Sequence, residues 1–117
     1  MPLNDTGLSL IATTLQSVLL FGQLHSGFAG SSSTDNIAVA GRQPIHWTAP
    51  DSSGNFGLIS QMSFTAGPSG GPVFSVTLWD SETDGVPYAE CFLGGDATFN
   101  IEGEYQVTAI DVTETST

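Results

Sequence analysis

The chain has no lysine and a single arginine, Arg42, set against twelve acidic residues, which leaves a formal net charge of −11 over 117 residues. A surface so one-sided repels nucleic-acid phosphate and anionic lipid headgroups at every approach, so DNA, RNA and membrane-surface partners are poor expectations. Cysteine is nearly absent as well. Cys91 stands alone, so no intrachain disulfide and no zinc site built on several thiolates is available. Its neighbours Phe92 and Leu93 predict a buried, inert thiol. Long hydrophobic runs are missing too: the most apolar stretch, Leu8 to Phe21, is interrupted by Ser9, Thr13, Thr14, Gln16 and Ser17 and is too polar and short to span a bilayer. There is no basic n-region and no small-residue cleavage site, which predicts a mature protein made in a cytoplasm.

What is present points to a β protein. Hydrophobic residues make up 39% of the chain, enough for a folded core, while 14 glycines and only 11% charged residues favour a loop-rich β domain over a helical one. The length accommodates one domain, residues 1–117, and not two. Its organising stretch is Val73 to Asp80, in which Phe74, Val76 and Leu78 alternate with Val73, Ser75, Thr77 and Trp79 at the period of a half-buried central strand. Gly67 to Pro72 breaks regular structure before it and Asp80 to Gly85 turns the chain after it.

Asn4, Asp5 and Thr6 are good helix caps, and Leu8, Ile11 and Leu15 follow at spacings of three and four, predicting one amphipathic helix over 5–16 that closes an end of the β domain. A first strand follows over Val18 to His25. Gly27 to Gly41 offers turn formers and little to bury, and is expected to be a mobile surface excursion unless a neighbouring subunit holds it. Gln43 to Thr48 reads as an edge strand, because Pro44 cannot donate to a ladder. Further strands are expected over Leu58 to Ala66, Pro87 to Leu93, Ala97 to Ile101 and Tyr105 to Val112. Seven or eight short strands separated by turns predict an all-β, antiparallel sandwich, jelly-roll-like, over 18–112, with a tail over 113–117. Trp79, Phe64, Phe74 or Val76, Phe99 and Tyr105 are its expected core.

Few groupings suggest chemistry. Neither His25 nor His46 sits in a nucleophile or metalloprotease motif, and no carboxylate pair stands out from the rest, so no catalytic residue is assigned and no enzyme is expected. Asp80-Ser81-Glu82-Thr83-Asp84-Gly85 opens like a calcium loop, but Cys91 occupies the twelfth position where a bidentate Glu is needed. It reads as an acidic hairpin turn, with a weak divalent-metal site at Asp80, Glu82 and Asp84, joined by Glu90, as its alternative. Trp47, Trp79, Tyr88 and Tyr105 would serve either as core anchors or as a sugar-stacking platform for a host surface glycan. No cofactor is implied. Phe28, Ile37 and Val39 in the loop, with Arg42 and Pro44 at the edge strand after it, are the candidate interface of a homo-oligomer, since an exposed edge without lysine needs a cover.

Several segments together carry a resemblance: a helix leading to a strand that ends Leu24-His25, a Gly-rich loop, Arg42 ahead of a strand with Trp47, the strand end Thr77-Leu78-Trp79-Asp80, and a G-D-A-T-F-N-x-x-G-E-Y-x-V-T close from Gly95 to Thr108. In these the chain resembles small structural proteins of tailed bacteriophages, particularly of actinobacteria, described as minor tail or tail-fibre-like proteins. It departs from them after Leu24-His25, where members continue T-A-D-P-G and this chain has Ser26-Gly27-Phe28-Ala29-Gly30. The resemblance implies a non-enzymatic virion component, in the tail or as a capsid decoration protein, contacting other tail or capsid proteins. It also implies a trimer, by analogy with the symmetry of phage fibres and capsid three-fold positions.

Overall fold

The computed structural model describes residues 3–38, 40–93 and 97–113. Among these are one α-helix and eight short strands, all paired antiparallel, so the chain is a β protein with one helix. Helix α1 runs over Asp5–Gln16. Asn4 caps it, its side chain accepting from the Gly7 N–H at 3.0 Å, and Asp5 places a negative charge at the positive end of the helix dipole. Leu8 and Ala12 bury its inner face, and the helix ends at Ser17, whose N–H turns back to the carbonyls of Thr13 and Thr14.

Four strands form the main sheet: β1 (Phe21–His25), β2 (Gln43–Pro44), β5 (Ser75–Trp79) and β6 (Pro87–Phe92), in the order β2-β1-β5-β6. Pro44 lies on the edge, as its missing N–H requires. The stretch expected to be central is central, but β5 is covered on both faces: all five of its residues are buried. Val76 and Leu78 point into the apolar core. Ser75, Thr77 and Trp79 face the other way, under a second cover described below.

The alternation also fails at its start. Val73 joins the core with Val76, while Phe74 turns outward to the rings of Phe28 and Phe92.

The remaining strands form an irregular ribbon: β3 (Phe56–Gly57) pairs with β8 (Asp111–Val112) and β4 (Met62–Phe64) with β7 (Tyr105–Val107). Two long strands were expected here, Leu58 to Ala66 and Tyr105 to Val112, and each is split. Residues near Leu58 leave the ribbon to pair with the chain around Trp47, through the Trp47–Leu58 bridge and the Ile59 N–H to His46 carbonyl bond, and the register slips by one residue across the gap. The strand expected over Ala97 to Ile101 shrinks to a bridge between Pro72 and Thr98. Asn100 ends it, because its side-chain oxygen accepts from the N–H groups of both Glu102 and Glu104 and so bends the chain into a turn.

Met62 and Phe64 of β4 lie over the main sheet at Gly22. A Cβ there would displace Met62 Cε, the free end of a flexible side chain, and press on Val76 Cγ2, so the two layers are in close contact at this glycine. Phe64, Phe99, Leu24, Val76 and Leu78 are the most deeply buried apolar side chains, and Leu19 and Ala12 seal them from the helix side. Of the expected core, Phe64, Val76 and Phe99 are there; Tyr105 is half-buried against Phe99, and Trp79 is buried on the opposite face of the sheet. The tail expected over 113–117 lies outside the described residues apart from Thr113.

Candidate functional site

The second face of the main sheet is polar although it is buried. His25 from β1 and Ser75 and Thr77 from β5 are fully buried there. Their hydrogen bonds close. The His25 Nδ1 lies 2.8 Å from the Asp35 carbonyl, which only accepts, so this nitrogen carries the proton. Nε2 lies 2.7 Å from the Thr77 hydroxyl, whose oxygen also accepts from the Trp79 Nε1–H at 2.7 Å. Ser75 donates to the Glu90 carboxylate of β6, which also accepts from the Ala29 N–H at 3.0 Å.

The cover over this seam is the loop between β1 and β2. The sequence predicts a surface excursion over Gly27 to Gly41; the described part of the loop is mostly exposed, and it folds back on its own sheet. Ala29 and Ala38 are buried, His25 bridges Ile37, and backbone bonds run from Ser26 N to Asn36 O, Asp35 N to Ala29 O and Ala38 N to Leu24 O. The physical reason is that buried polar side chains need partners and the loop's backbone supplies them. Gly30, Ser33 and Asn36 all adopt positive φ, which lets so short a loop turn back this tightly. The sequence contains the signal in outline, since Ser75 and Thr77 alternate on a strand whose other residues are apolar. Glu90 and Ala29 are separated from them by loops whose path the sequence does not give.

Arg42 closes the other end of the seam. Its guanidinium stacks on Trp79 with Cζ 3.9 Å from the ring centre, donates from Nε to the Gln23 side chain, and donates from one terminal nitrogen to the carbonyls of Ser81 and Asp84. Partial burial pulls its pKa below the ordinary value, against Asp84 and then Asp80, which raise it. The arginine expected at an oligomer interface is thus committed to its own chain.

The same contacts bear on the acidic turn. The carbonyls of Ser81 and Asp84 are directed at Arg42, the Asp80 carboxylate accepts from the Val86 N–H, and the Val86 carbonyl, at the seventh position where a calcium loop uses one, accepts from the Asp80 N–H. Among the described residues, no three His, Cys, Asp or Glu side chains, Asp80, Glu82, Asp84 and Glu90 included, are grouped to hold a metal ion.

The remaining interface residues are scattered. Phe28 and Ile37 are exposed, Phe28 at 64%, and Pro44 is exposed on the β2 edge; Val39 lies outside the described residues. Phe28 packs beside Phe74 at the start of β5 and Arg42 over Trp79 at its end, about 17 Å apart at the rise of an extended chain. The aromatic residues considered for sugar stacking are dispersed too. Trp47 packs on Phe56 and donates to the Leu19 carbonyl, Tyr105 packs on Phe99, and Trp79 lies under Arg42; Tyr88 alone of the four is exposed.

What sequence reading missed is on β6. Phe92, 60% exposed, meets Phe28 and Phe74 edge-to-face with ring centres 5.7 and 5.5 Å away. Behind the strand, an open cavity of about 280 Å³ lies between α1, β6 and β8. Burial, and next Glu90, push the half-buried Cys91 thiol on its wall above its ordinary pKa, in keeping with the unreactive cysteine expected. No helix among the described residues is long and apolar enough to cross a membrane. No protein-family model, curated protein or solved structure matches the chain.

Proposed function

We propose that this chain is a non-enzymatic structural component of a tailed-bacteriophage virion, a minor tail or tail-fibre-like protein built as a jelly-roll-like sandwich. The resemblance over Gly95 to Thr108 and its companion segments supports the reading. The observation that carries it is how the polar side chains are used: His25, Ser75, Thr77, Glu90 and Arg42 all bond to the chain's own framework, while the large exposed side chains of β6 itself, Tyr88 and Phe92, are aromatic. Such a division suits a part that docks onto other proteins. For the fold, the main sheet and the ribbon that meets it at Gly22 are the two layers a sandwich needs; an experimental structure in which residues 62–64 do not cover Gly22 would remove that description. The working unit is a homo-oligomer, a trimer, meeting through Ile37 and the β2 edge with Pro44. Light scattering at micromolar concentration reads its size, and a monomer without mutual contacts in the particle rejects it.

Quantitative mass spectrometry of purified particles tests the function. With no lysine and one arginine, trypsin yields two large peptides, so chymotrypsin is the protease to use. A handful of copies per particle fits the tail, hundreds of copies move the protein to the capsid exterior, and absence refutes the virion reading.

A further inference from the structure

β6 ends the main sheet, and among the described residues no strand pairs with its outer side. The Leu93 N–H donates to the Phe74 carbonyl, one residue beyond the Ser75–Phe92 pair, which makes Ser75–Phe92 and Thr77–Glu90 the non-hydrogen-bonded pairs of the β5–β6 ladder. The N–H and C=O groups of Glu90 and Phe92 therefore point away from β5, at the open edge. Native edges are usually blunted by lysine, by proline within the strand or by a helix laid across them. In β6 the one proline, Pro87, stands at the first position, and there is no lysine.

Each face beside that edge holds an apolar seat. On the outer face stand the rings of Phe28 and Phe92. On the core face the cavity of about 280 Å³ opens between Leu15 of α1, Leu19 just beyond it, Ala89 and Cys91 of β6, and Val112 of β8. That volume lies at the small end of ligand pockets, nearer to room for a side chain than for a whole cofactor. The extra β6 residue at the Leu78/Trp79 irregularity, Tyr88, swings toward this side and joins the cavity wall.

We propose that the outer edge of β6 takes up an extended segment of a partner protein, apolar at successive positions and flanked by Lys or Arg, adding it to the main sheet as a fifth strand. Strand addition of this kind draws affinity from main-chain bonds and specificity from seats for alternate side chains, and β6 offers both. Successive side chains of the incoming strand drop to opposite faces, one toward the cavity and the next toward Phe28 and Phe92. Charge selects the partner. Residues 1–50 hold only Asp5, Asp35 and Arg42, a net −1, so −10 of the −11 belongs to residues 51–117, where β6 lies between Glu82 and Asp84 on one side and Asp111 beside the cavity. A second copy would bring the same excess of carboxylates to the contact, whereas a basic segment is drawn in. The identification of that partner as another virion protein rests on the functional reading above; the edge site does not.

The test uses the isolated full chain and an end-capped peptide of about ten residues, long enough to span β6, with Lys-Arg at each end of a Val, Leu and Thr core. A control peptide keeps the charges but carries proline at two core positions. Titration calorimetry is expected to show saturable binding of the first peptide, with the Glu90 and Phe92 amides slowed in hydrogen exchange. Binding should weaken by about tenfold or more for the proline peptide and for the Phe92→Ser chain. Equal binding of the proline peptide, which can use charge alone, overturns the proposal whether or not Phe92→Ser folds. So do an absence of binding, protection confined to amides elsewhere, and pairing of β6 with a second copy detected by light scattering. Because no particle is involved, the edge can fail while the virion reading stands, and the reverse.

Discussion

Thr77 occupies the point where two buried donors and acceptors meet, and its hydroxyl satisfies both His25 Nε2 and Trp79 Nε1. Thr77→Val keeps the shape and removes both bonds. Each buried group left without a partner costs about 1–3 kcal/mol, so urea unfolding should show a loss at the sum of two such terms, while Thr77→Ser, which keeps the hydroxyl, loses much less. Equal losses for the two variants would mean that packing, and not the hydrogen bonds, matters at this position. Cys91 gives a second residue-scale expectation. Its pKa is raised in the folded state, so the stability tied to the protonated thiol is intact below the unfolded pKa and is lost as pH rises through the folded one. Mildly alkaline alkylation should accordingly be slower in the folded chain than in urea, and equal rates would contradict the burial described. The partial burial of Cys91 falls short of the burial expected from Phe92 and Leu93, because Phe92 itself is exposed; the partnership of Thr77 with His25 was not legible, because it joins residues 52 positions apart.

At the scale of elements, the helix was legible to the residue, since its cap and its apolar spacing are both local signals. The central strand was legible as well, through its alternation and its flanking turns. The long strands at Leu58 to Ala66 and Tyr105 to Val112 were not legible as split, because what breaks them is a competing partner, the segment around Trp47. The path of the loop over residues 26–38 was not legible: composition rich in Gly and Ser describes how easily a chain bends and leaves open where its backbone bonds go. The ribbon and the sheet touch closely at Gly22, and Gly22→Ala tests that contact. A methyl group there meets Met62 Cε and, at 3.2 Å, Val76 Cγ2, so the two layers must part or Met62 must move. Overpacking of this kind costs about 1–3 kcal/mol, read as a lower urea midpoint; an unchanged midpoint would mean that the two layers are looser than described.

For the whole molecule, charge is the dominant fact. With one cation to twelve acidic groups, like-charge repulsion opposes the folded state, and screening shortens its reach to about 8 Å at physiological ionic strength. Sodium chloride added to a low-salt buffer should raise the melting temperature; a fall would mean that attractive pairs outweigh repulsion, which one arginine does not supply. The account as a whole makes the loop over residues 26–38 part of the framework and the β6 edge the working surface. Hydrogen exchange, compared between the free protein and the protein within purified particles, separates the two roles most directly. The account predicts slow exchange at Ser26, Asp35 and Ala38 in both states, with the Glu90 and Phe92 amides fast in the free protein and slow in the particle. Fast loop amides in the free protein, or β6 amides that do not change on assembly, would contradict it.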